Sequence, residues 1–150
     1  MASGFTMKGR QLIAGQTLDL TGAAVKVMLL KSTYSHSQTR DFVGDASGFA
    51  ASECDATGYT GGFAGADRLT LTTPVWNRDD GNVRMEFDFV DVTWTALGGA
   101  ANNNLGGVGL VKEITSDAAS PAIGFDDTNN VDTNGGDIIY APNAEGMLQM

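Results

Sequence analysis

The fold class of this chain is decided by ten residues near its middle, Val83-Arg84-Met85-Glu86-Phe87-Asp88-Phe89-Val90-Asp91-Val92. The odd positions through Phe89 are apolar, and the even positions through Asp88 are charged. This period of two is typical of a strand that has one face in a core and the other in water. We therefore expect Phe87, Phe89 and Met85 to be buried and Glu86 to be exposed. Val90 breaks the alternation, which predicts a bulge or bend at that point.

Other segments predict strands of similar length. They cover residues 24–30, 68–76, 105–114, 122–125, 137–140 and 147–150. Asp80-Gly81 and Asn134-Gly135 between them are hairpin-turn signals, and residues 40–45 are expected to form the only helix, a single turn. About seven or eight short strands with no long helical pattern indicate an all-β fold, an antiparallel β-sandwich or flattened barrel.

At 150 residues the chain is in the usual range for one domain. Residues 1–22 are polar and glycine-punctuated, so we expect an N-terminal arm there and the β-sandwich domain over residues 23–150. The apolar pieces of the arm predict edge strands on a partner or a second copy, and a first hairpin of the domain is the open alternative. No apolar run approaches the roughly 20 residues that span a bilayer, and the start lacks a signal-peptide pattern. We expect synthesis in the cytoplasm.

Charge is distributed unevenly along the chain. Residues 1–40 carry a net charge of +4 and residues 41–150 one of −13, which give the formal −9 of the whole chain. A basic leading segment on an acidic body favours docking on an acidic protein over direct binding of nucleic acid, which the body should repel. The residues expected to bind the partner are Lys8, Arg10, Leu12, Ile13, Leu18 and Leu20.

Catalytic and metal chemistry find little support in the residue types. Cys54 is the only cysteine and His36 the only histidine, so an intramolecular disulfide, a structural zinc site and a Ser-His-Asp site are not expected. We interpret Cys54 as a partly buried, unreactive thiol and His36 as a solvated loop residue. The glycine-rich residues 58–65 match no phosphate-binding pattern and predict a turn. No enzyme activity and no cofactor are expected.

A calcium site is the one metal alternative. Asn130, Asp132 and Asn134 followed by Gly135 match the opening of a calcium-binding loop. The match ends there, because Ala141 stands where a bidentate glutamate is required. The hairpin-turn interpretation of Asn134-Gly135 is therefore preferred, and the alternative would use as ligands Asp126, Asp127 and Asp132.

Five strings in a fixed order carry a family resemblance. They are Val25-Lys26-Val27-Met28-Leu29-Leu30-Lys31, Ala56-Thr57-Gly58-Tyr59-Thr60-Gly61-Gly62, Asp91-Val92-Thr93-Trp94-Thr95-Ala96, Pro121-Ala122-Ile123-Gly124-Phe125-Asp126 and Asn134-Gly135-Gly136-Asp137-Ile138-Ile139-Tyr140. From Ala23 to the end, the chain resembles a family of small structural proteins of tailed-phage particles. The resemblance implies a compact β-domain that serves as a virion building block and not as an enzyme. The chain departs from the family before Gly22 and in the Asn-rich residues 102–104.

Within a particle, a charged arm on a small domain favours a head decoration or cement protein. Such a protein would bind the major capsid protein and stabilise the phage head, as a symmetric homo-oligomer. We expect neither direct nucleic-acid binding nor membrane binding. The alternative is a tail, collar or baseplate component, or a carbohydrate-binding module of a fibre.

Overall fold

The structure is a computed structural model, and it describes residues 4–21, 24–142 and 146–149, apart from the side chain of Asn129. These residues form one α-helix, one short 3-10 helix and ten strands, all paired antiparallel. In chain order the elements are β1 Gly4–Phe5, α1 Met7–Ala14, β2 Val25–Lys31, the 3-10 helix Ala50–Ser52, β3 Leu69–Thr70, β4 Val75–Asp79, β5 Arg84–Asp88, β6 Val92–Leu97, β7 Asn104–Lys112, β8 Ala122–Asp132, β9 Gly136–Tyr140 and β10 Leu148–Gln149. The predicted antiparallel, sandwich-like all-β fold is confirmed.

The described strands form three sheets. The largest has the order β1-β8-β7-β2-β3, the second has the order β10-β5-β4, and the third consists of β6 and β9. The main core contains alternate residues of the large sheet, such as Val27 and Leu110, together with Phe87, Trp94 and Leu148 of the two smaller sheets. A β-sandwich built in this way buries one face of each sheet.

The opposite face of the five-stranded sheet is also covered. Met28 and Leu30 of β2 pack there against Val43 and Phe49, which belong to the long segment between β2 and β3. A Cβ atom at Gly109 of β7 would lie only 2.8 Å from the Phe49 ring, so this glycine makes room for the covering segment. Burial on both faces explains why β2 reads as an almost continuous apolar run.

The break predicted at Val90 is present, because β5 ends at Asp88 and β6 begins at Val92. Phe87 and Phe89 are buried as predicted. Met85 is 37% exposed and Val83 is 90% exposed, so burial of the alternating positions fails toward the turn that joins β4 to β5. Val83 lies in that turn with a φ of 54° and is not part of the strand.

Glu86 was expected in solvent, and this expectation is wrong. β10 pairs with β5 and places Gln149 opposite Glu86, which leaves Glu86 only 9% exposed. The Nε of Arg84 donates a hydrogen bond of 2.9 Å to its carboxylate. The face of β5 that looked solvated in the alternating pattern is thus partly closed by the C-terminal part of the chain. Met150, the last residue of the predicted C-terminal strand, lies outside the described residues.

The helix predicted over residues 40–45 is also wrong. The carboxylate of Asp45 accepts hydrogen bonds from the backbone N–H groups of Asp41 and Phe42, which closes a turn. Phe42 forms an isolated β-bridge with Pro121 and therefore does lie against the sheet. The α-helix of the described chain begins at Met7 instead.

Asn134-Gly135 forms a turn as predicted, but the strands on its two sides do not pair with each other. Gly135 has a φ of 93°, which glycine adopts without strain. The strand that follows it, β9, pairs with β6, whereas β8 before it pairs with β7 and β1. The turn therefore carries the chain from the large sheet to the two-stranded sheet and does not close a hairpin.

Candidate partner-binding surface and the buried polar groups

The helix α1 is attached to the sheet through its first turn. The hydroxyl of Thr6 accepts a hydrogen bond of 2.9 Å from the N–H of Gly9 and donates one of 2.5 Å to the carbonyl of Ala122. This is an N-cap that also bonds to β8. A Cβ atom at Gly9 would overlap the carbonyl of Ile123, so only glycine permits this close approach. The helix is consequently fixed on the domain.

The rest of the described N-terminal segment belongs to the main core. Phe5 is fully buried and stacks on Trp76, with ring centroids 6.1 Å apart and an interplanar angle of 17°. Leu18 and Leu20 are buried in the same cluster. These contacts correct the expectation of an arm separate from the domain: the described residues 4–21 pack on residues 24–142. The expected boundary between residues 22 and 23 lies outside the described residues.

The six residues predicted to bind a partner lie in different environments: some are in the protein's own core and others are on α1. Leu18 and Leu20 face the protein's own core, so in this conformation they cannot contact another protein. Leu12 and Ile13 are half-buried and pack against the same core from α1, where edge strands were expected. Arg10 is exposed, and the Nζ of Lys8 lies 5.4 Å from the centroid of the Phe42 ring.

Three of the basic side chains without a carboxylate partner lie on α1 or on the segment next to it. Five of the nine basic residues form ion pairs with described carboxylates, and the four that do not are Lys8, Arg10, Arg40 and Lys112. The N–H of Met7 donates to the carbonyl of Gln38, which brings the segment that carries Arg40 next to the helix. We call Met7, Lys8, Arg10 and Arg40 the α1 basic surface. It offers positive charge and, in the 54% exposed Met7, an apolar contact.

A buried ion-pair network, which the sequence analysis missed, holds the glycine-rich loop. The guanidinium of Arg68 is completely buried and lies 2.7 Å from Glu53, 2.5 Å from Asp117 and 3.3 Å from Glu113. Lys26 of β2 adds a further ion pair of 2.6 Å to Glu113. Burial opposes the charge of Arg68, but its hydrogen bonds to Glu53 and Asp117 outweigh burial and raise its pKa.

The same network reaches the glycine-rich turn. The hydroxyl of Tyr59 donates to Glu53 at 3.1 Å and accepts from the N–H of Leu29, while the N–H of Gly62 donates to the other oxygen of Glu53. Burial, reinforced by the charge of Glu53, raises the pKa of Tyr59. These polar groups are used in holding the loop that contains Gly62 against the sheet, so the network is structural.

The structure agrees with the expectation for Cys54 and contradicts the one for His36. Cys54 is buried, and burial raises the pKa of its thiol, which agrees with an unreactive cysteine. His36 is not a solvated loop residue: its ring stacks on Phe125 at a centroid distance of 5.2 Å and an angle of 16°. Burial of His36, together with the nearby positive charge of Arg40, lowers the pKa of its imidazole.

The three acids of the calcium alternative are not gathered at one point. Asp126 and Asp127 are neighbours in β8, so their side chains leave opposite faces of the sheet. Asp126 accepts a hydrogen bond of 2.7 Å from the hydroxyl of Tyr140, and Asp132 accepts one of 2.7 Å from Asn104. Among the described residues there is no group of three or more His, Cys, Asp or Glu side chains that could hold a metal ion. The described part of the chain also has no helix long and apolar enough to cross a membrane.

Comparisons of the chain with protein-family models, with curated proteins and with solved structures found no match.

Proposed function

We propose that the chain is a non-enzymatic virion structural protein of a tailed bacteriophage, a head decoration or cement protein that binds the major capsid protein and stabilises the head. The ordered strings that resemble the phage family support this proposal. In the fold they fall on β2, on the loop held by Arg68, on β6, on β8 and on β9 with the turn before it. They thus include parts of the large sheet and of the two-stranded sheet.

The observation that carries the docking part of the proposal is the α1 basic surface. Its positive groups lie on a chain with a net charge of −9, and none of them is neutralised by a described carboxylate. A localised charge of sign opposite to the rest of the molecule orients the protein on an acidic partner and speeds their encounter. The acidic remainder disfavours direct binding to nucleic acid. A homo-oligomer on the capsid shell is part of the same proposal.

The first experiment measures the location and the copy number. Purified particles are separated into heads and tails, and the protein is quantified against the major capsid protein on a stained gel. A head decoration protein is expected in the head fraction, in an amount comparable to the major capsid protein. Confinement to tails, or a few copies per particle, would overturn the head assignment in favour of a tail, collar, baseplate or fibre component.

The second experiment tests the surface with a matched pair of variants. Arg10→Glu and Arg78→Glu both reverse the charge of an exposed arginine, but only Arg10 belongs to the α1 basic surface. On heads that lack the protein, Arg10→Glu should weaken binding about tenfold at 0.1 M salt, and Arg78→Glu should leave it nearly unchanged. The difference should shrink at 1 M salt, where the Debye length is about 3 Å. Equal weakening by both variants would show that another surface binds the capsid.

A further inference from the structure

The outer side of β4 is an unpaired strand edge. β4 is the last strand of the sheet with the order β10-β5-β4, and no described strand pairs with its other side. Its pairing with β5 is regular, without a bulge. Val75, Asn77 and Arg78 are exposed, so β4 is open to solvent at these positions. An edge of this kind presents N–H and C=O groups that can pair with a further strand.

Two backbone hydrogen bonds show how the strand next to β4 is oriented. The C=O of Phe87 accepts a bond of 2.8 Å from the N–H of Met147, so the backbone groups of Phe87 point to the β10 side. The N–H of Val90, three residues later, donates to the C=O of Thr72 on the β4 side. Successive residues of an antiparallel ladder direct their backbone groups to opposite sides. The even-numbered residues of β5 therefore bond to β4.

This orientation identifies the backbone groups that β4 presents outward. Asn77 lies opposite Glu86, so the odd-numbered residues of β4 direct their N–H and C=O groups to β5. The N–H and C=O groups of Trp76 and Arg78 consequently point away from the sheet. They form no backbone hydrogen bond with another described segment.

One antiparallel register between two copies of β4 pairs all of these outward groups. When Trp76 of one copy lies opposite Arg78 of the other, the two residues exchange both N–H···O=C bonds, and the two-fold axis repeats the exchange. A register centred on Arg78 would place two like charges opposite each other. A register centred on Trp76 would place Arg78 opposite Pro74, which has no N–H to donate.

The side chains are also complementary in the favoured register. The guanidinium of Arg78 lies across from the indole of Trp76 of the other copy, and such a pair gains a cation–π attraction. Asn77 lies on the two-fold axis opposite its own counterpart, where each amide can donate to the other and accept from it. The edge is therefore self-complementary in backbone, charge and side chains, which identifies a second copy of this chain as its partner.

The end of the hairpin formed by β4 and β5 also benefits from a neighbour. Val83 is 90% exposed and Met85 is 37% exposed at this end. Val83 has a φ of 54° and Thr73, just before β4, has a φ of 45°, both strained for β-branched residues. Strained backbone concentrates at sites of interaction. In the favoured register the turn of one copy lies beside Pro74 of the other, so each copy covers the exposed end of its counterpart.

We infer that the chain forms a two-fold homodimer in which β4 of one copy pairs with β4 of the other, with Asn77 on the axis. The two three-stranded sheets then become one sheet in the order β10-β5-β4-β4-β5-β10. The contact is small, because β4 has five residues, and a dissociation constant on the order of 100 µM is expected. At about 1 µM the chain is then almost entirely monomeric, so Arg10→Glu and Arg78→Glu are compared on heads as monomers at that concentration.

The dimer does not depend on the capsid proposal. It uses no residue of the α1 basic surface, and it is measured in solution without particles. Failure of the dimer would leave the capsid proposal standing, and failure of head binding would leave the dimer standing.

Sedimentation velocity of the whole chain tests the inference. Over a range of about 5 to 500 µM, the average mass should rise from that of one chain toward that of two. A monomer at every concentration would overturn the inference. Growth beyond two chains would do the same, because a closed two-fold contact ends at the dimer.

Variants at the axis decide whether the contact is the one inferred. Asn77→Asp and Asn77→Lys each place two like charges opposite each other, so each variant alone should associate about tenfold more weakly at 0.1 M salt. An equal mixture of the two should associate at least as tightly as the unchanged protein, because opposite charges then meet across the axis. Asn130→Asp makes the same change at an exposed asparagine outside the hairpin and should associate like the unchanged protein.

The side chain of Asn77 is exposed, so the urea midpoint of both axis variants at about 1 µM should stay nearly unchanged. Undiminished association of Asn77→Asp would show that the copies meet through another surface and would overturn the inference. A mixture that associates no more tightly than either variant alone would overturn it as well.

Discussion

Replacing Phe5 by alanine tests whether the beginning of the chain belongs to the domain. The side chain is fully buried and stacks on Trp76, so the change removes both core volume and an aromatic pair. Truncation of a buried phenylalanine costs about 3 to 5 kcal/mol. We therefore expect the free energy of unfolding to fall by about 4 kcal/mol, a large part of the roughly 5 to 15 kcal/mol that stabilises a typical domain.

Urea denaturation followed by tryptophan fluorescence is the appropriate measurement, because Trp76 is in direct contact with Phe5. The midpoint should drop while the slope with urea stays unchanged, since the surface exposed on unfolding is nearly the same. In thermal unfolding the expected loss corresponds to roughly 8 to 16 °C for a chain of this size. Met7→Ala, at a side chain that is 54% exposed, is the control and should change the free energy of unfolding by less than about 0.5 kcal/mol.

A loss below about 1 kcal/mol for Phe5→Ala would refute this reasoning. It would mean that the segment contributes little to the core in solution, as an independent N-terminal arm requires. An effect as small as that of Met7→Ala would have the same meaning. A loss of the expected size would show that removal of residues 1–22 damages the fold itself, so such a deletion could not isolate docking from folding.

Three further predictions concern the described core and its charges. Arg68→Met should lower the free energy of unfolding by about 3 to 5 kcal/mol, because it leaves buried carboxylates without their counter-charge. Removal of the exposed ion pair of Arg78 is the control and should change the melting temperature little. Similar decreases in melting temperature for both changes would contradict a stabilising role of the network. Hydrogen bonds from Lys26 and a backbone N–H outweigh burial and hold the pKa of Glu113 in the folded protein below its ordinary 4.5. The ionised Glu113 therefore stabilises the fold fully above pH 4.5, and this contribution is lost as the pH falls through the lower pKa of the folded state. Glu113→Gln should flatten the fall of unfolding free energy on acidification, as measured by urea titrations at several pH values, and an unchanged pH profile would exclude this contribution. Phe87→Ala should lower the free energy of unfolding by about 3 to 5 kcal/mol, and Glu86→Ala should lower it by about 1 kcal/mol because a partly buried hydrogen bond is lost. A larger loss for Glu86→Ala than for Phe87→Ala in chemical denaturation would show that Phe87 does not lie on the core face of β5.

Local sequence patterns predicted much of the sheet structure. The apolar run in β2 and the alternation in β5 were sufficient to predict that both segments are strands, because side chains in a strand alternate with a period of two. The break at Val90 was visible for the same reason. The alternation did not predict the burial of Glu86, because β10, which pairs with β5, comes from the distant end of the chain. The pattern did not predict that the hairpin end at Val83 leaves the core, because how far a strand extends past its neighbours depends on the packing of distant segments.

Local sequence patterns could not predict contacts between residues that are far apart in the sequence. Arg68 lies 15 residues from Glu53 and 49 residues from Asp117, and nothing local connects them. The stacking of His36 on Phe125 likewise joins the segment after β2 to β8. The sequence did contain one overlooked signal, because Thr6 before the helix and Gly15 after it are ordinary cap residues. Gly9 inside the helix obscured it, since its close approach to β8 can be recognised only in the folded chain.

The attachment of α1 changes the physical picture of how a partner would be recognised. An arm that folds only on binding loses conformational entropy at that moment, which weakens its affinity for a given contact area. Here the bonds from Thr6 to β8 and the burial of Phe5 have already ordered the helix. The α1 basic surface therefore presents Lys8 and Arg10 from a rigid support, and docking on an acidic capsid face would proceed as a rigid-body encounter steered by charge. Such docking should show a rate of association that falls steeply with salt, and a heat-capacity change too small for coupled folding of the N-terminal segment.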